Sequence, residues 1–489
     1  MIELKRTATV LLGALALAST TAVFAAPAST SQEWTYWLLS SSTSSLHSCA
    51  SEVAKVRDAS GLTYLYRASS HASCAQSLTT ATVGPEEAVL FKPEAVEDGT
   101  RGLEGSWKMR ALEALSITQS SPVEEDAGQV AFHLPTSPSM QLLSAHGASL
   151  VVAVTPSALA TIDHHTTFDT RLQRLVFQPL SSFSTLTDKP EPKYNKPKHN
   201  SHVASILSSS AFNASRIESD LRILTGESAQ PSEIGEWHSR HSATYGARLA
   251  GRWLKSQMEA SLSAVNGSCE FWSYSPFFAP NIVCSVPASG EEEWVVVSAH
   301  YDSRGTFGST TAPGGDDDGS GTSALLAIAR ALGSSPLALR SPVRLIFFSG
   351  EEQGLVGSSH YASALKEKVK LAIQMDMLAY RHPGEPLQLA FPDKFVTQSA
   401  TDLVRQVAEL YVPELEQGYT PACCSDHQSF WENNFPATWV FERNGPIKDP
   451  MYHNSGDVVD RDGYSVEQLR AIAKVVLASA LHVAGFDKA

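Results

Sequence analysis

Three carboxylates stand side by side in the segment PGGDDDGSG, as Asp316, Asp317 and Asp318, with glycines on both sides. Adjacent like charges repel, so the run indicates either a solvated acidic loop or a site that holds cations. An EF-hand calcium loop is excluded, because the acids are consecutive and the twelfth residue counted from Asp316 is Ala327 instead of glutamate. A carboxylate can bridge two metal ions through its two oxygens, so the run predicts a metal site if further ligands lie elsewhere.

Most of the further candidate ligands follow apolar segments of the chain. They are His300 and Asp302 in AHYDSRG, Glu351 and Glu352 in SGEEQG, and Asp376 in IQMDML, whereas His453 in YHNSGD lies in a loop before the last predicted helix. A carboxylate in an apolar strand, such as Asp376, is costly to bury unless it is paired or bound to metal. Zinc accepts a mixed set of imidazole and carboxylate ligands, and two-metal hydrolases hold their ions about 3.5–4 Å apart.

The elements that must position these residues alternate between strands and helices. Buried strands are predicted at 293–300, 343–350, 371–378 and 437–442, and helices at 248–259, 319–332 and 465–485. This alternation indicates an α/β fold, with a mostly parallel mixed sheet flanked by helices on both faces. Ligands in such folds gather at the carboxyl ends of the strands, which is where the candidate residues fall.

The 489 residues divide into four predicted parts. Residues 1–25 form a secretory signal peptide, since two cations precede an apolar stretch that is too short for a membrane span. Residues 26–188 form a smaller propeptide-like domain with a strand at 149–155, and 189–200 an exposed linker where processing is expected. Residues 201–489 form the catalytic domain. We therefore expect a secreted protein, extracellular or periplasmic, with no membrane partner after removal of the signal peptide.

Charge and cysteines limit the remaining possibilities. The net charge of −14 argues against a nucleic-acid partner. Export permits disulfides, and the six cysteines suggest the pairs Cys49–Cys74 and Cys269–Cys284, with Cys423 and Cys424 either bridged or reduced. Asn213 and Asn266 lie in glycosylation sequons.

Five motifs in series, AHYDSRG, PGGDDDGSG, FFSGEEQGLVGS, QMDMLAY and YHNSGD, resemble the co-catalytic zinc aminopeptidases of the M28 metallopeptidase family. The resemblance covers roughly residues 200–489 and is closest to secreted fungal and bacterial leucine-aminopeptidase-like members. It implies the zinc exopeptidase fold and two Zn²⁺ ions per chain. The implied ligands are His300 and Asp376 for one ion, Glu352 and His453 for the other, and Asp317 as the bridge.

The same resemblance implies roles for the neighbouring acids. Glu351 is the general base, and Asp302 and Asp318 support the ligands from behind, with Asp302 orienting an imidazole. The peptide bond between Asp317 and Asp318 is expected to be cis. Asp426 and His427 are interpreted as structural, because both ligand sets are complete without them. The adjacent cysteines depart from the better-known bacterial pattern, in which a few residues separate them, and so leave the shape of the substrate pocket open.

The implied function is that of a secreted, monomeric dizinc aminopeptidase. It acts on peptides with a free N-terminus and removes single residues, with leucine or another apolar residue preferred. The zinc ions polarise the scissile carbonyl and acidify a water, and Glu351 transfers the proton of that water to the leaving amine. The N-terminal region would aid folding, or block the site until the chain is cut within 188–200.

Three alternatives share the implied fold, and a serine hydrolase is a fourth. A carboxypeptidase on the same fold needs cations to clamp the substrate carboxylate, and Arg304 and Arg443 are candidates. A glutaminyl cyclase uses a single zinc, so the intact set of five ligands argues against it. An inactive peptidase-like binding protein is disfavoured because the base Glu351 is present. A serine hydrolase is disfavoured because no G-x-S-x-G motif occurs.

Overall fold

The structure is a computed structural model that describes residues 35–40, 52–58, 61–69, 82–84, 87–97, 106–117, 139–146, 148–179, 191–290, 293–335 and 337–488. The described strands are β1 (Thr35–Ser40), β2 (Glu52–Asp58), β3 (Gly61–Ser69), β4 (Thr82–Gly84), β5 (Glu87–Pro93), β6 (Met140–His146), β7 (Ser149–Val154), β8 (Thr170–Arg174), β9 (Gln178–Pro179), β10 (Ser268–Trp272), β11 (Asn281–Val286), β12 (Trp294–His300), β13 (Leu337–Leu339), β14 (Val343–Phe348), β15 (Val369–Met375), β16 (Gln388–Pro392), β17 (Glu416–Thr420), β18 (Ala437–Val440) and β19 (Phe486–Lys488).

The described helices are α1 (Trp107–Ile117), α2 (Pro156–Leu159), α3 (Ser201–Leu207), α4 (Ala214–Thr225), α5 (Tyr245–Leu262), α6 (Gly319–Gly333), α7 (Val356–Ala364), α8 (Gln398–Tyr411), α9 (His427–Glu432) and α10 (Val466–Ala484). Short 3-10 helices lie at Ile162–His165, Ser210–Phe212 and Ser263–Val265.

A six-stranded sheet in the order β10-β11-β14-β12-β15-β18 forms the centre of the larger, C-terminal part. The four strands β14, β12, β15 and β18 run parallel, and β11 and β10 continue one edge antiparallel. This confirms the predicted mostly parallel mixed sheet. Because the four parallel strands point the same way, their carboxyl ends meet at one edge of the sheet.

Helices cover both faces of this sheet, as the sequence predicted. Along β14, Leu345 and Phe347 pack into the main core, which also contains buried side chains of α4, α5, α6, α8 and α10. The alternate residues Ile346 and Phe348 pack on the other face against Tyr361 of α7 and Phe430 of α9. Successive side chains of a strand point to opposite faces, so a continuous apolar run is what two covered faces require.

The predicted strands and helices of this part are confirmed, and their ends place the site. Ser465 caps α10 by accepting a hydrogen bond from the amide of Gln468. Strand β15 ends at Met375, so Asp376 leaves the sheet at the carboxyl edge. His300 is the last residue of β12.

The N-terminal part contains two antiparallel sheets in the described residues, with the orders β6-β7-β5-β8 and β4-β1-β3-β2-β9. Strand β7 confirms the prediction at 149–155. The first sheet packs on α1, and its apolar cluster includes Phe278 and Val356 from the C-terminal part. The two parts of the chain therefore share a core.

The structure describes most of the predicted linker but not the predicted signal peptide. Residues 191–200 have no regular secondary structure and most of them are exposed, although the Tyr194 hydroxyl donates to the carbonyl of Lys370 at 2.6 Å. Processing there stays a prediction, and so does the division into domains. The predicted signal peptide lies outside the described residues. Among the helices that are described, none has the length and apolarity to cross a membrane.

Two disulfides lie in the described residues. Cys269 and Cys284 face each other across β10 and β11 and are bonded, which confirms that predicted pair. Cys423 and Cys424 are bonded to each other, with a cis peptide bond between them. Cys49 and Cys74 lie outside the described residues.

Gly321 in the first turn of α6 is packed too closely to accept a side chain. A Cβ atom there would lie 2.5 and 2.7 Å from the carboxylate oxygens of Asp318 and 2.6 Å from the carbonyl of Met375. We expect Gly321→Ala to lower the free energy of unfolding by about 1–3 kcal/mol, because the backbone of α6 and the end of β15 must move apart to admit the methyl group. Denaturant titration measures this change. The control is Ser323→Ala in the same helix, whose buried hydroxyl has no partner within the described chain. Equal stabilities of the two variants would contradict this packing argument.

Candidate metal centre

The first of the three adjacent aspartates faces away from the site. Asp316 accepts a hydrogen bond from the amide of Ala379 at 2.7 Å. The amides of Asp316 and Asp317 both donate to the carboxylate of Asp457, at 2.9 and 3.0 Å. Asp457 pairs in turn with Arg461 at 2.9 Å. The acidic turn is therefore held by a neighbouring loop through its main chain.

The third aspartate ties three elements together. Asp318 is the N-cap of α6, where its side chain accepts from the amide of Gly321 at 2.8 Å. Its carboxylate also accepts from the amides of His300 at 3.1 Å and Met377 at 3.4 Å, which lie at the ends of β12 and β15. The peptide bond between Asp317 and Asp318 is cis, as the resemblance implies. Asp318 thus has a supporting position, and Asp317 is left to face the site.

The structure brings the five predicted ligands together in two groups that share Asp317. In the first group, His300 Nε2 lies 3.2 Å from Asp317 Oδ1 and 3.5 Å from Asp376 Oδ2. In the second, His453 Nε2 lies 3.4 Å from Asp317 Oδ2 and 3.2 Å from Glu352 Oε2. Each oxygen of Asp317 therefore faces a different group, as a bridging carboxylate must.

The two imidazoles are oriented to bind cations. His300 Nδ1 donates to the carbonyl of Asp302 at 3.1 Å, and His453 Nδ1 donates to the carbonyl of Phe168 at 2.9 Å. With Nδ1 as the donor in each ring, Nε2 faces the carboxylates, where it can donate a proton or bind a cation. Although burial lowers the pKa of His300, the charges of Asp376 and Glu351 raise it well above its usual value, so a bound cation must displace this proton. His300 Nε2 is buried and makes no hydrogen bond in the described chain, and the same holds for Glu352 Oε1.

The spacing of the groups fits zinc. Zinc bonds of about 2.0–2.1 Å in a tetrahedron place neighbouring ligand atoms about 3.3–3.4 Å apart. The four imidazole–carboxylate distances range from 3.2 to 3.5 Å. Both groups therefore have the ligand types and the spacing that a zinc ion requires.

The protein alone does not balance the negative charge of the site. Burial, followed by the neighbouring Glu352, raises the pKa of Asp317 to about 6. Burial raises the pKa of Glu352 to about 8, and it raises the pKa of Glu351 well above its usual range. Carboxylates that resist ionisation in this way indicate a place for divalent cations.

Asp302 supports the site by a route that differs in detail from the predicted one. Its main-chain carbonyl accepts from His300 Nδ1, whereas its carboxylate oxygen lies 3.6 Å from that nitrogen. The carboxylate instead accepts from the amides of Glu351 and Glu352, both at 3.4 Å. Asp302 thus orients the ring of one predicted ligand and holds the segment that carries another.

A small pocket opens beside both groups. Carboxylates of Asp317, Glu351 and Asp376 lie on one side of it. The rest of the wall is largely apolar and comprises Met377, Ala422, the Cys423–Cys424 pair, Trp439, Ile447 and Tyr452. Glu94 from the N-terminal part also lines this pocket and accepts from the amide of Cys423 at 3.0 Å.

The residues interpreted as structural lie outside the two groups. Asp426 accepts from the side-chain amide of Gln374 at 3.2 Å, and burial raises its pKa to about 7. The ring of His427 stacks on Trp439, and burial lowers its pKa to about 3. A fully buried imidazole that stays neutral is typical of packing against an aromatic ring.

The two arginines considered as a carboxylate clamp are engaged within the protein. Arg304 donates to the carbonyls of Thr166 and Thr167, both at 3.0 Å. Arg443 pairs with Glu385 at 3.0 Å and with Glu97 at 3.4 Å. Neither guanidinium faces the pocket with open donors, so the geometry does not favour a carboxypeptidase.

A third group of potential ligands, Asp163, His164 and His241, lies between the two parts of the chain. His241 Nε2 donates to Asp163 Oδ1 at 3.1 Å, and although burial lowers the pKa of this imidazole, the charge of Asp163 raises it above its usual value. Although burial raises the pKa of Asp163, the charge and hydrogen bond of His241 hold it below its usual range. Hydrogen bonds therefore account for Asp163 and His241, whereas the buried Nε2 of His164 has no hydrogen-bond partner in the described chain.

Sequence reasoning missed several residues that hold the site. Arg240 is completely buried and donates to the carbonyls of Tyr301 and Gly314, both at 2.8 Å, and to that of Pro313. No local pattern marks an arginine whose acceptors are distant carbonyls. Asp457 gave a usable signal, because it ends the motif YHNSGD four residues after His453.

Comparisons with known proteins agree with this geometry. The sequence profile of peptidase family M28 matches residues 281–480. The leucine aminopeptidase 1 of Phaeosphaeria nodorum is 30% identical over 273 residues, which are 51% of this chain and 67% of that protein. A probable leucine aminopeptidase of Arthroderma otae is 30% identical over 240 residues, 46% of this chain and 63% of that protein. The chain thus spans about two thirds of these relatives.

Solved structures show the same fold. The LapA aminopeptidase of Legionella pneumophila has a TM-score of 0.58 at 19% identity, over 83% of this chain and 100% of that chain. LapB from the same organism has a TM-score of 0.58 at 18% identity, over 82% of this chain and 100% of that chain. The aligned regions cover 83% and 82% of this chain, which is more than residues 201–489 alone could supply. The likeness of fold therefore includes some of the N-terminal part.

We expect zinc binding to this centre to release protons. Below about pH 8 the metal-free site holds protons on Glu352, whose pKa is raised to about 8, and below about pH 6 on Asp317 as well. Zinc requires the ionised carboxylates, so the apparent affinity should rise with pH between 6 and 8, by about tenfold per pH unit for each proton released. Calorimetric titration in buffers of different ionisation enthalpy counts these protons. An affinity that does not change with pH over this range would contradict the assignment of the ligands.

Proposed function

The chain belongs to peptidase family M28, and from this premise we propose that it is a secreted dizinc aminopeptidase that removes single residues from the N-terminus of peptides. The observation that carries the proposal is the position of Asp317, whose two oxygens each face a separate imidazole–carboxylate group. We further propose that the enzyme acts as a monomer and requires a free α-amino group on its substrate.

The residues assigned to the ions follow from the two groups. His300 and Asp376 would hold one zinc, Glu352 and His453 the other, and Asp317 both. Bound zinc supplies Lewis-acid chemistry, which acidifies water and polarises a carbonyl oxygen. The protein contributes a buried site in which the ligands are already arranged, so little reorganisation is needed during the reaction.

Glu351 has the position and the environment of a general acid–base group. It lines the pocket beside Asp317 and Asp376, and burial raises its pKa well above the usual value. Its amide is held by Asp302, which fixes the start of its side chain. In the proposed reaction Glu351 accepts a proton from the attacking water and passes it to the amine that leaves.

The pocket supports an exopeptidase with a preference for apolar residues. The apolar wall around Met377, Trp439 and Ile447 would contact the side chain of the N-terminal residue. The carboxylates beside it attract the α-ammonium group, which is present only at the start of a peptide. Leucine or a similar residue is therefore the proposed first residue.

Secretion is proposed from the leader and from the disulfides. The predicted signal peptide comprises residues 1–25, and bonded cysteine pairs such as Cys269–Cys284 persist in oxidising compartments. We therefore propose an extracellular or periplasmic location.

The direct test is hydrolysis of leucine-p-nitroanilide by purified protein, compared with the N-acetylated compound. We expect cleavage of the free amine alone, loss of activity with a chelator, and recovery when zinc is returned. Cleavage of both compounds would exclude a requirement for the α-amino group. Zinc binding without cleavage of either would exclude the aminopeptidase activity.

We expect Glu351→Gln to lower kcat by about 10²–10⁴-fold, because a glutamine cannot transfer the proton. The zinc content should stay at the wild-type value, since Glu351 is not among the assigned ligands. Glu367→Gln is the control, because Glu367 pairs with Arg344 at the opposite end of β14. Both are measured by steady-state kinetics with elemental analysis of the same samples. A variant at Glu351 with wild-type kcat would remove it from the mechanism.

A further inference from the structure

One of the assigned ligands is oriented by the N-terminal part of the chain. His453 Nδ1 donates to the carbonyl of Phe168 at 2.9 Å, across 285 residues of sequence. The partner of the second nitrogen fixes the tautomer and the direction of a ligating imidazole. By contrast, His300 finds the same kind of partner only two residues away, in Asp302. The second ligand group therefore depends on the segment around Phe168, here called the orienting loop and defined as residues 163–170.

Arg304 of the C-terminal part holds the orienting loop in place. Its Nη2 donates to the carbonyl and the hydroxyl of Thr166, at 3.0 and 2.7 Å, and to the carbonyl of Thr167 at 3.0 Å. The side chain is only 5% exposed. Nη1 of the same guanidinium donates to the carbonyl of Thr170 at 3.4 Å, so two nitrogens of one rigid plane hold the loop, and the single ammonium of a lysine cannot occupy both positions.

The orienting loop is also fixed within its own domain. The hydroxyl of Thr167 donates to Asp169 Oδ1 at 2.6 Å, and Asp169 forms an ion pair with Arg110. The indole of Trp107 donates to the hydroxyl of Thr170 at 3.0 Å. The Phe168 carbonyl is thus held from both sides, by Arg304 and by α1.

Polar groups that are buried between the two parts could not be separated without loss. Asp163 of the orienting loop is 1% exposed and accepts from His241 at 3.1 Å and from Gln353 at 3.0 Å. Separation would leave these groups without partners or expose them to water. Breaking such a buried pair is strongly destabilising, because the group that remains is left uncompensated.

Apolar and main-chain contacts continue this interface. Phe278 and Val356 lie in the apolar cluster of the N-terminal sheet. The amide of Ile447 donates to the carbonyl of Ala95, and its carbonyl accepts from the amide of Glu97, both at 2.8 Å. A shared core with strand-like pairing is typical of parts that stay together, because interfaces that open readily are more polar.

We propose that the described segments 87–97, 106–117, 139–146 and 148–179 are a permanent part of the catalytic unit, and that Arg304 is a positioning residue that holds the Phe168 carbonyl against His453. The inference rests on the proposed function, in which His453 binds zinc. It differs from the expectation of an N-terminal region that blocks the site until it is removed. A cut within 189–200 would then leave the N-terminal part bound to the C-terminal part and the site intact.

The first test is Arg304→Lys in the full chain, loaded with zinc and equilibrated against increasing chelator. We expect one of the two zinc ions to be lost at about 10- to 100-fold lower chelator concentration than in the wild type, and the other to be retained. The control is Arg344→Lys, because Arg344 pairs with Glu367 at the opposite end of the sheet. Zinc per chain is measured by elemental analysis, with circular dichroism to establish folding. A folded Arg304→Lys that keeps both ions as tightly as the wild type would overturn the positioning role.

The second test does not depend on the folding of a variant. A specific protease site replaces residues 195–198, which are largely exposed, and the purified full chain is cut there. We expect the two fragments to co-elute in size-exclusion chromatography, with zinc content and activity unchanged. Departure of the N-terminal fragment, with both ions and full activity left on the remainder, would overturn the proposal. Zinc content is read without substrate, so a failure of the aminopeptidase assignment would be seen separately in the wild type.

Discussion

The repulsion among buried carboxylates is the constraint on which the rest of this structure depends. Asp317, Glu351, Glu352 and Asp376 share one site, and burial raises the pKa values of the first three above their usual ranges. Such a cluster persists only if its backbone is fixed and cations balance its charge. The fold fixes the backbone of the site, because the parallel strands β12, β14 and β15 end at one edge of the sheet. The two ligand groups that share Asp317 provide places for the cations, because both have the spacing of a zinc site.

The groups that fix this backbone lie behind the ligands and act mainly on amides and carbonyls. Asp318 accepts from main-chain amides at the end of β12, in the first turn of α6 and just after β15. Asp457 accepts from the amides of the two residues that precede Asp318 in the acidic turn. Arg240 performs the same task through carbonyl groups. Because most of these contacts join segments far apart in sequence, a shift in one segment is passed to the ligands. The orienting loop extends this arrangement to the second domain.

Much of the site was predictable because its residues follow recognisable elements. The apolar runs before His300, Glu351 and Asp376 identify buried parallel strands, and the ends of such strands converge. Glu94, Phe168 and Arg240 could not be found in this way. Glu94 and Phe168 belong to a region without a recognisable motif, and Phe168 acts through its main-chain carbonyl, which any residue could provide. The direction of the Asp302 carboxylate also depended on atoms that the sequence does not locate.

The sequence by itself determined the fold class, the family and the five residues that converge on the metal centre. The fold class follows from local periodicity, whereas the family and the five residues follow from the resemblance of five short motifs, and both kinds of signal are written in neighbouring residues. Only the tertiary structure decided which contacts leave Asp317 facing both groups, since Asp316 accepts from the amide of Ala379 and Asp318 accepts from the amide of His300. It also decided that Arg304 is engaged by the orienting loop. The physical reason is that hydrogen bonds and burial between distant segments depend on where the chain returns in space, which no local pattern records.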